Sequence, residues 1–312
     1  MNTVPIVFAF DNNLILPACV CISSLMMNAR EDTFYDIFIL HSRKLALERD
    51  RLGRIPDYYP NCRIRYRLVD ETFDAAFEIR GITTPAYYRL LIPELIPEYD
   101  KVIYSDVDVI FRMDLAELYR LDISDYYLAA TRDLGLNFSD DGVRYVNSMP
   151  GLVQGQYLQS GFIMLNSRKI RQDNLVARFR ELAKRKLKYQ DQDILNLSCS
   201  GHVLFLPMKY NMTDYSYFFI HLNPDKIAHL ADADEIAEAQ RSSNIHFNGH
   251  KPWKKYSINF DIWWEYYRKS PFFDAKFYFD FFYYRLNILD QLSLWKRVKI
   301  LLRYFVYGKR VI

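Results

Sequence analysis

The sequence has few cysteines, and none of them forms a recognisable pair. Only four occur among 312 residues, and Cys19 and Cys21 lack the spacing of a zinc or redox motif. Cys62 and Cys199 stand alone in mostly apolar surroundings. We therefore predict buried free thiols and a reducing compartment.

Long hydrophobic runs and a basic leader are also lacking. The first residues, MNTVPIVFAFDNN, hold a short apolar run with no positive charge before it, which predicts a first core strand rather than a signal peptide. No stretch is long and apolar enough to predict a membrane span.

Charge of one sign is scarce over most of the chain. The net charge is only +3, which gives no reason to expect a nucleic-acid partner. Residues 285–312 contain seven Lys or Arg against one acid, a local balance of +6, so the rest of the chain carries −3. The basic character therefore belongs to the C-terminal end.

Half of the residues are hydrophobic, which is ample for a large core, and strand-like segments alternate with helix-like ones. Strands are predicted at 3–10, 34–41, 63–70, 100–111, 126–133 and 157–166. Helices are predicted at 14–30, 43–55, 85–96 and 167–188, a long loop at 134–156, and a short strand with a loop at 244–256. This order predicts an α/β fold, with a mostly parallel sheet covered by helices on both faces.

The C-terminal end has a different character. Nine of the thirteen residues at 272–284 are Phe or Tyr, and a segment with helical periodicity follows. Its apolar arc consists of Leu294, Trp295, Val298, Leu301, Leu302, Phe305 and Val306. Its basic arc consists of Lys296, Arg297, Lys299 and Arg303, while Leu292 and Ile300 fit neither. This pattern predicts a helix lying in a membrane interface, and the alternative is a helix packed on the body.

The stretch YSDVDVIF places Asp106 and Asp108 one residue apart in an apolar run. In a strand both side chains point the same way, and open α/β sheets bind ligands at the carboxyl edge. Two converging carboxylates repel unless a cation lies between them, so the pair predicts a divalent metal. The alternative is a chance pair at a strand end.

Other segments supply compatible groups. The stretch IHFNGHKPW contains His246, whose imidazole beside two carboxylates favours Mn²⁺ over Mg²⁺. It also contains Gly249, which lets the backbone approach a phosphate, and Lys251, which supplies a positive charge to bind it. Arg89 lies among apolar neighbours, where a structural ion pair is the alternative to a ligand contact.

Taken in order, VFAFDNN, AYYRLLIPELIPEYDKVIYSDVDVIF, YLQSGFIMLN, KYQDQDILN and IHFNGHKPW resemble glycosyltransferase family 8, over about residues 3–256. The resemblance implies a GT-A fold, a UDP-sugar donor and Mn²⁺, with Mg²⁺ as a possible substitute. It also implies a retaining hexosyltransferase that moves glucose or galactose to a lipid-linked surface glycan, such as a lipopolysaccharide or lipooligosaccharide core.

The resemblance also assigns roles to single residues. The implied metal ligands are Asp106, Asp108 and His246. The implied donor-binding residues are Ala9, Asp11, Asn13, Arg89, Asp106, Val107, Gln159, Ser160, Gly249 and Lys251. The implied catalytic residues are Asp133, Asp191 and Gln192. Two residues depart from the family pattern. Leu14 stands where many relatives have an aromatic residue that stacks on uracil, and Gln159 replaces an asparagine.

These expectations combine into one hypothesis with alternatives. A catalytic domain at 1–258 and a membrane-associating region at 259–312 would place the enzyme in the cytoplasm, on the inner face of the membrane. Retention would follow from same-face attack with Gln192 stabilising the cationic sugar, or from a covalent intermediate on Asp191. The competing functions are a phosphohydrolase of the haloacid dehalogenase type that uses the aspartate pair, and a non-catalytic sugar-nucleotide binder.

Overall fold

A computed structural model of the chain describes residues 2–42, 46–69 and 84–307. Its strands are β1 (Asn2–Ala9), β2 (Thr33–Ser42), β3 (Cys62–Val69), β4 (Val102–Ser105), β5 (Val109–Ile110), β6 (Leu128–Arg132), β7 (Leu158–Leu165), β8 (Val203–Phe205), β9 (Met212–Thr213) and β10 (Ile245–His246). Seven of them form the central sheet, in the order β3-β2-β1-β4-β7-β6-β8. Strands β3, β2, β1 and β4 are parallel, β7 is antiparallel to both of its neighbours, and β8 is parallel to β6. The prediction of a mixed, mostly parallel sheet is therefore confirmed.

Helices connect the strands and cover the sheet. The α-helices are α1 (Ile15–Met27), α2 (Asp50–Gly53), α3 (Ile55–Tyr58), α4 (Ile92–Leu95), α5 (Ala116–Arg120), α6 (Leu134–Phe138), α7 (Asp140–Ser148), α8 (Ser167–Gln172), α9 (Leu175–Ala183), α10 (Gln190–Cys199), α11 (Asp214–Leu222), α12 (Pro224–Ile227), α13 (Ala233–Ser242), α14 (Phe260–Lys269), α15 (Ala275–Asp290) and α16 (Leu294–Tyr307). Short 3-10 helices span Asn12–Leu14, Thr84–Leu91 and Met208–Tyr210.

The central sheet is buried on both faces. Along β1, Ile6 and Phe8 belong to one core cluster together with Ile22 of α1, whereas Val7 belongs to another together with Leu195 of α10. Alternate residues of a strand point to opposite faces, so one apolar strand contributes to two cores. All four cysteines are buried and free, which confirms the predicted thiol state.

The predicted strand at 100–111 is interrupted. Strand β4 ends at Ser105 and β5 begins at Val109, so Asp106 and Asp108 lie in the connection between two sheets. In the second sheet β5 pairs antiparallel with β10, and β10 pairs parallel with β9. His246 is opposite Val109 in this sheet, which brings the imidazole beside the aspartates.

The prediction of a loop at 134–156 is wrong for its first half, where α6 and α7 lie. Each helix begins at a polar side chain that accepts a hydrogen bond from a backbone amide of the first turn. Asp133 accepts from Leu136 and Ser139 accepts from Gly142, both at 3.0 Å. These side chains satisfy amides that short helices leave unpaired, so a polar segment becomes helical.

Three predicted helices are shorter or divided. Within 43–55, residues 43–45 lie outside the described part, 46–49 are not helical, and α2 begins only at Asp50. The segment predicted at 85–96 is a 3-10 helix followed by α4, with a proline in the first turn of α4. The segment at 167–188 divides into α8 and α9 at Asn174, whose left-handed φ of 52° interrupts the helix.

The C-terminal helices differ in how deeply they pack. Trp263, Trp264 and Tyr267 of α14 are buried in one cluster with Ile110 and Phe247 of the body. By contrast, α16 leaves most of its apolar arc exposed, to 82% at Trp295 and 78% at Phe305. In the described ranges, the helices are all too short or too polar to cross a membrane.

Candidate active site

Two carboxylates and one imidazole converge beyond the end of β4. Among the described residues, Asp106, Asp108 and His246 offer three ligand atoms that lie within 4.8 Å of one another. Nε2 of His246 is 3.8 Å from Oδ2 of Asp106 and 3.3 Å from Oδ1 of Asp108. The sequence therefore identified a real cluster, although its aspartates follow the strand rather than belong to it.

Buried polar side chains fix the orientation of His246. Its Nδ1 lies 3.0 Å from Oδ1 of Asn211, and Asn211 donates to Oε1 of Gln159 at 2.7 Å. When the proton is on Nδ1 and is donated to the Asn211 oxygen, Nε2 carries no proton. Nε2 then presents its lone pair to the aspartates, as a metal ligand requires. Gln159, expected beside the donor sugar, thus supports the metal cluster through Asn211.

A glycine leaves the space that this cluster occupies. A Cβ at Gly161 would lie 2.2 Å from Cε1 of His246 and 2.7 Å from Oδ2 of Asp106. The Gly161 carbonyl also accepts from the Asp106 amide at 2.8 Å, and its amide donates to Gln159 at 2.7 Å. Strand β7 therefore needs glycine here, because any side chain would displace the two ligands.

The cluster fits a divalent cation. Oδ1 of Asp108 is buried and has no hydrogen bond of good geometry within the described part of the chain. Burial alone would raise the pKa of Asp108, but the Lys251 ammonium lowers it below its usual range, as a protonated His246 also would, so the group is anionic. Carboxylates alone suit Mg²⁺ and Mn²⁺ alike, and the added imidazole nitrogen makes the donor set better suited to Mn²⁺ than to Mg²⁺.

Arg89 connects two carboxylates. It donates to Oδ1 of Asp106 at 2.8 Å, and its Nε lies 3.2 Å from Oδ2 of Asp191. It also donates to the Ser160 carbonyl at 2.6 Å and stacks over the Tyr104 ring at 4.3 Å. Burial would lower the pKa of Arg89, but the two carboxylates raise it, so it remains charged. Arg89 therefore does form structural ion pairs, the alternative that its apolar neighbours suggested, and both of its partners are themselves predicted site residues.

The three predicted catalytic residues lie in one hydrogen-bonded chain. Gln192 donates to Oδ2 of Asp133 at 3.0 Å and accepts from the Ser160 amide at 3.0 Å. The Ser160 hydroxyl donates to Asp191 at 3.0 Å. Asp191 is buried, and Asp133 is half-buried. Burial raises the pKa of Asp191 to about 6 against the opposing effect of Arg89, and it also raises the pKa of Asp133.

The loop after β10 carries the predicted diphosphate residues. Nζ of Lys251 lies 2.5 Å from both Oδ2 of Asp108 and the Phe247 carbonyl. Gly249 lies against Asp214, because a Cβ there would be 2.8 Å from Oδ2 of that acid. Asp214 begins α11 and is buried, and its burial raises its pKa to about 7.

The predicted nucleoside-binding residues follow β1, which is adjacent and parallel to β4. Oδ1 of Asp11 accepts from the Asn13 amide at 2.9 Å and begins the short 3-10 helix. Ala9 ends β1 and is half-buried. Leu14 packs against two hydrophobic clusters rather than standing free for a base. Val107 is 4% exposed and packs in the core, so only its backbone is available to a donor.

Sequence reasoning missed three residues of this site: Asn211, Gly161 and Asp214. Gly161 did carry a signal, since a glycine inside a buried strand often marks a close approach of other groups. Asn211 and Asp214 carried none, because their positions depend on how β9 and α11 pack beside β10.

The chain belongs to glycosyl transferase family 8, whose model matches residues 5–257. Among curated proteins, it is 26% identical to a putative glycosyltransferase of Haemophilus influenzae, over 68% of this chain and 64% of that protein. It is 27% identical to a lipopolysaccharide 1,2-glucosyltransferase of Escherichia coli, over 67% of this chain and 62% of that protein. The chain thus spans a little under two thirds of these relatives.

Solved structures share the fold. The galactosyltransferase LgtC, crystallised with donor and acceptor sugar analogs, superposes with a TM-score of 0.71 at 25% identity, over 88% of this chain and 98% of LgtC. The bifunctional glycosyltransferase WbbM also superposes at 0.71, with 24% identity, over 89% of this chain and 51% of WbbM, and this likeness concerns the fold alone. The predicted GT-A fold is confirmed.

Proposed function

We propose that the protein is a retaining glycosyltransferase that moves glucose or galactose from a UDP-sugar to a lipid-linked surface glycan of the lipopolysaccharide type. One observation carries this proposal: Asp106, Asp108 and His246 converge on one point, with a buried oxygen of Asp108 directed at it. The relatives named as lipopolysaccharide glucosyltransferases and the likeness to LgtC support the substrate class.

Asp106, Asp108 and His246 would hold a divalent cation, by preference Mn²⁺. When bound, such a cation supplies Lewis acidity that neutralises charge on the leaving diphosphate. Lys251 would add a positive charge to the diphosphate oxygens, and the Gly249 backbone would let them approach closely. Residues Ala9, Asp11 and Asn13, after the adjacent strand, would hold the uridine.

Gln192 and Asp191 would act on the sugar. Gln192 is held at both ends of its amide, by Asp133 and by the Ser160 backbone, so its position is fixed before a donor arrives. Asp191 is fixed by Arg89 and Ser160. We propose same-face attack by the acceptor, with the leaving phosphate as base and Gln192 stabilising the cationic sugar. A glycosyl adduct trapped on Asp191 in a slow variant would contradict this pathway.

The exposed apolar arc of α16, with its basic residues on the opposite side, supports a further part of the proposal. Leu294, Trp295 and Phe305 are each more than 70% exposed. A helix with this arrangement lies in the interface of an anionic membrane. We propose that the region at 259–312 holds the enzyme on the inner face of the plasma membrane, beside a lipid-linked acceptor.

The test is a screen of UDP-sugars for UDP release by the full chain, with Mn²⁺, with Mg²⁺ and with a chelator. We expect one of UDP-glucose and UDP-galactose to be consumed, with Mn²⁺ preferred. Hydrolysis of p-nitrophenyl phosphate would instead favour the phosphohydrolase, and UDP binding without any turnover would favour the sugar-nucleotide binder. Either result would overturn the proposal.

A further inference from the structure

A large cavity lies between the loop that follows β10 and the C-terminal helices. Its volume is about 1170 Å³, which is at or above the upper range for small-molecule sites. Its lining includes Asp214 together with Asn248 and Gly249, from the loop that follows β10. The cavity therefore borders the predicted diphosphate loop.

The lining of the cavity combines two kinds of side chain. Three helices contribute apolar side chains, among them Phe218 and Leu222 of α11, Phe282 and Leu286 of α15, and Ile300 and Leu301 of α16. The lining also includes Asp214, whose buried Oδ1 has no hydrogen-bond partner within the described ranges. A carboxylate oxygen in this state is an acceptor for a hydroxyl group of a ligand.

The charges around the cavity indicate the sign of the ligand. Arg285 and Arg303 line it, and of the described residues that do so only Asp214 is acidic. The Nε atom of Arg285 is buried and has no hydrogen-bond partner within those residues. A buried donor of this kind is suited to a phosphate or carboxylate.

We propose that this cavity binds the acceptor as an anionic glycolipid. Its sugar hydroxyl would face Asp214, its acidic group would face Arg285 and Arg303, and its acyl chain would lie among α11, α15 and α16. The inference rests on the proposed function, because it assigns an acceptor to the same site. It makes the C-terminal helices a part of the substrate site as well as a membrane contact.

Leu301 and Leu302 form a matched pair for the test. They are neighbours on α16 with similar exposure, 56% and 59%, but only Leu301 lines the cavity. Leu222, on α11, lines it from the other side and is 64% exposed. Asp at any of these exposed positions should leave the fold intact, which circular dichroism would check.

The first measurement is the binding of dansylaminoundecanoic acid, a fluorescent chain with an anionic end, to the full-length protein. We expect saturable binding that weakens at least tenfold in Leu301→Asp and in Leu222→Asp, and less than twofold in Leu302→Asp. Each methylene buried contributes up to about fourfold, so the loss of part of the chain contact accounts for such a change. Equal effects of Leu301→Asp and Leu302→Asp, or no saturable binding, would overturn the inference.

The second measurement uses the wild-type protein alone. Transfer from the active UDP-sugar is compared between methyl and dodecyl glycosides below the micelle concentration of the latter. We expect at least a tenfold lower KM for the dodecyl form, and UDP release without acceptor is measured alongside as the check on basal turnover. Equal KM values with normal UDP release would overturn the acceptor assignment but not the proposed function. No UDP release from any donor would overturn the proposed function, and the acceptor assignment with it.

Discussion

The candidate active site and α16 depart in opposite ways from the usual pattern of apolar side chains inside and charged side chains outside. The site buries Arg89, Asp191 and His246 almost completely, whereas α16 exposes Trp295 and Phe305 to about four fifths. Buried charge is costly unless it is paired, and a large exposed apolar surface is unusual in a protein that has no partner. We propose that each departure marks a surface completed by something outside the chain, a cation and donor at the site and lipid at α16.

A buried acid need not be functional, and Asp36 provides the contrast. Its carboxylate is fully buried but completely paired, with two bonds from Arg63 at 2.7 Å and one from Tyr99 at 2.6 Å. Asp108, in comparison, keeps an oxygen that has no hydrogen-bond partner of good geometry among the described residues. The difference lies in whether the protein itself satisfies the carboxylate.

The largest effect is expected from Asp108→Ala. Loss of this ligand should lower metal-dependent UDP release by roughly a thousandfold, by analogy with the loss of a transition-state contact in a buried site. The fold should persist, because Lys251 is near the surface and can return to water. Steady-state UDP release and thermal unfolding would measure both properties, and turnover near the wild-type rate would refute the metal role.

The matched control for this variant is Asp36→Ala. Removing this carboxylate leaves Arg63 and Tyr99 without their partner and should cost about 1–3 kcal/mol of unfolding free energy. Turnover per folded molecule should remain within about twofold. If Asp36→Ala also abolished turnover, the contrast between a structural and a functional acid would not hold.

A somewhat smaller loss is expected from Gly161→Ala. The added methyl would lie 2.2 Å from the His246 ring, so the imidazole must move away from the aspartates. UDP release should fall by roughly a hundredfold, because the site must hold its ligands within fractions of an ångström. Gly53→Ala is the control, since its Cβ would meet nothing within 4 Å. Normal dependence on Mn²⁺ concentration in Gly161→Ala would contradict this account.

Removal of α16 tests the other half of the comparison. A chain that ends at Asp290 loses six Lys and Arg and the exposed apolar arc. Since each basic residue contributes about 1 kcal/mol near an anionic surface, binding to vesicles of anionic lipid should fall at least tenfold. UDP release without acceptor should stay within about twofold. Cosedimentation with such vesicles is the measurement, and undiminished binding would contradict the membrane role of this helix.

The smallest effect concerns pH. Burial raises the pKa of Asp191 to about 6, above its value in the unfolded chain. Because the folded state favours the protonated form, this group makes the protein less stable as pH rises from about 4 to 6. If the anion faces the cationic sugar, UDP release should instead increase through pH 6, by at most tenfold per unit. Asp191→Asn should remove the pH dependence of stability and that of UDP release. If the acidic limb of the UDP-release profile were unchanged in this variant, that limb would belong to another group.

Local patterns in the sequence predict most of the fold and the aspartate pair with its candidate partners, whereas the roles of most other site residues follow from the resemblance to the family. The alternation of apolar strands with helices was sufficient for the mixed sheet, because a strand buried on both faces must be apolar throughout. The segment at 134–156 was misjudged, since its helices depend on capping by Asp133 and Ser139 rather than on an apolar stripe. The split of the 100–111 segment was not readable either, because β5 leaves the central sheet to pair with β10.

The sequence by itself determined which side chains are available to the candidate site: an aspartate pair, a distant histidine, and a glycine and lysine after it. Only the tertiary structure decided that these groups meet, that Asn211 orients His246, and that Gly161 leaves room for the cluster. It also decided that Asp214 and the C-terminal helices enclose one cavity. The physical reason is that side-chain type follows from local sequence, whereas convergence depends on pairings between strands more than a hundred residues apart, such as His246 with Val109.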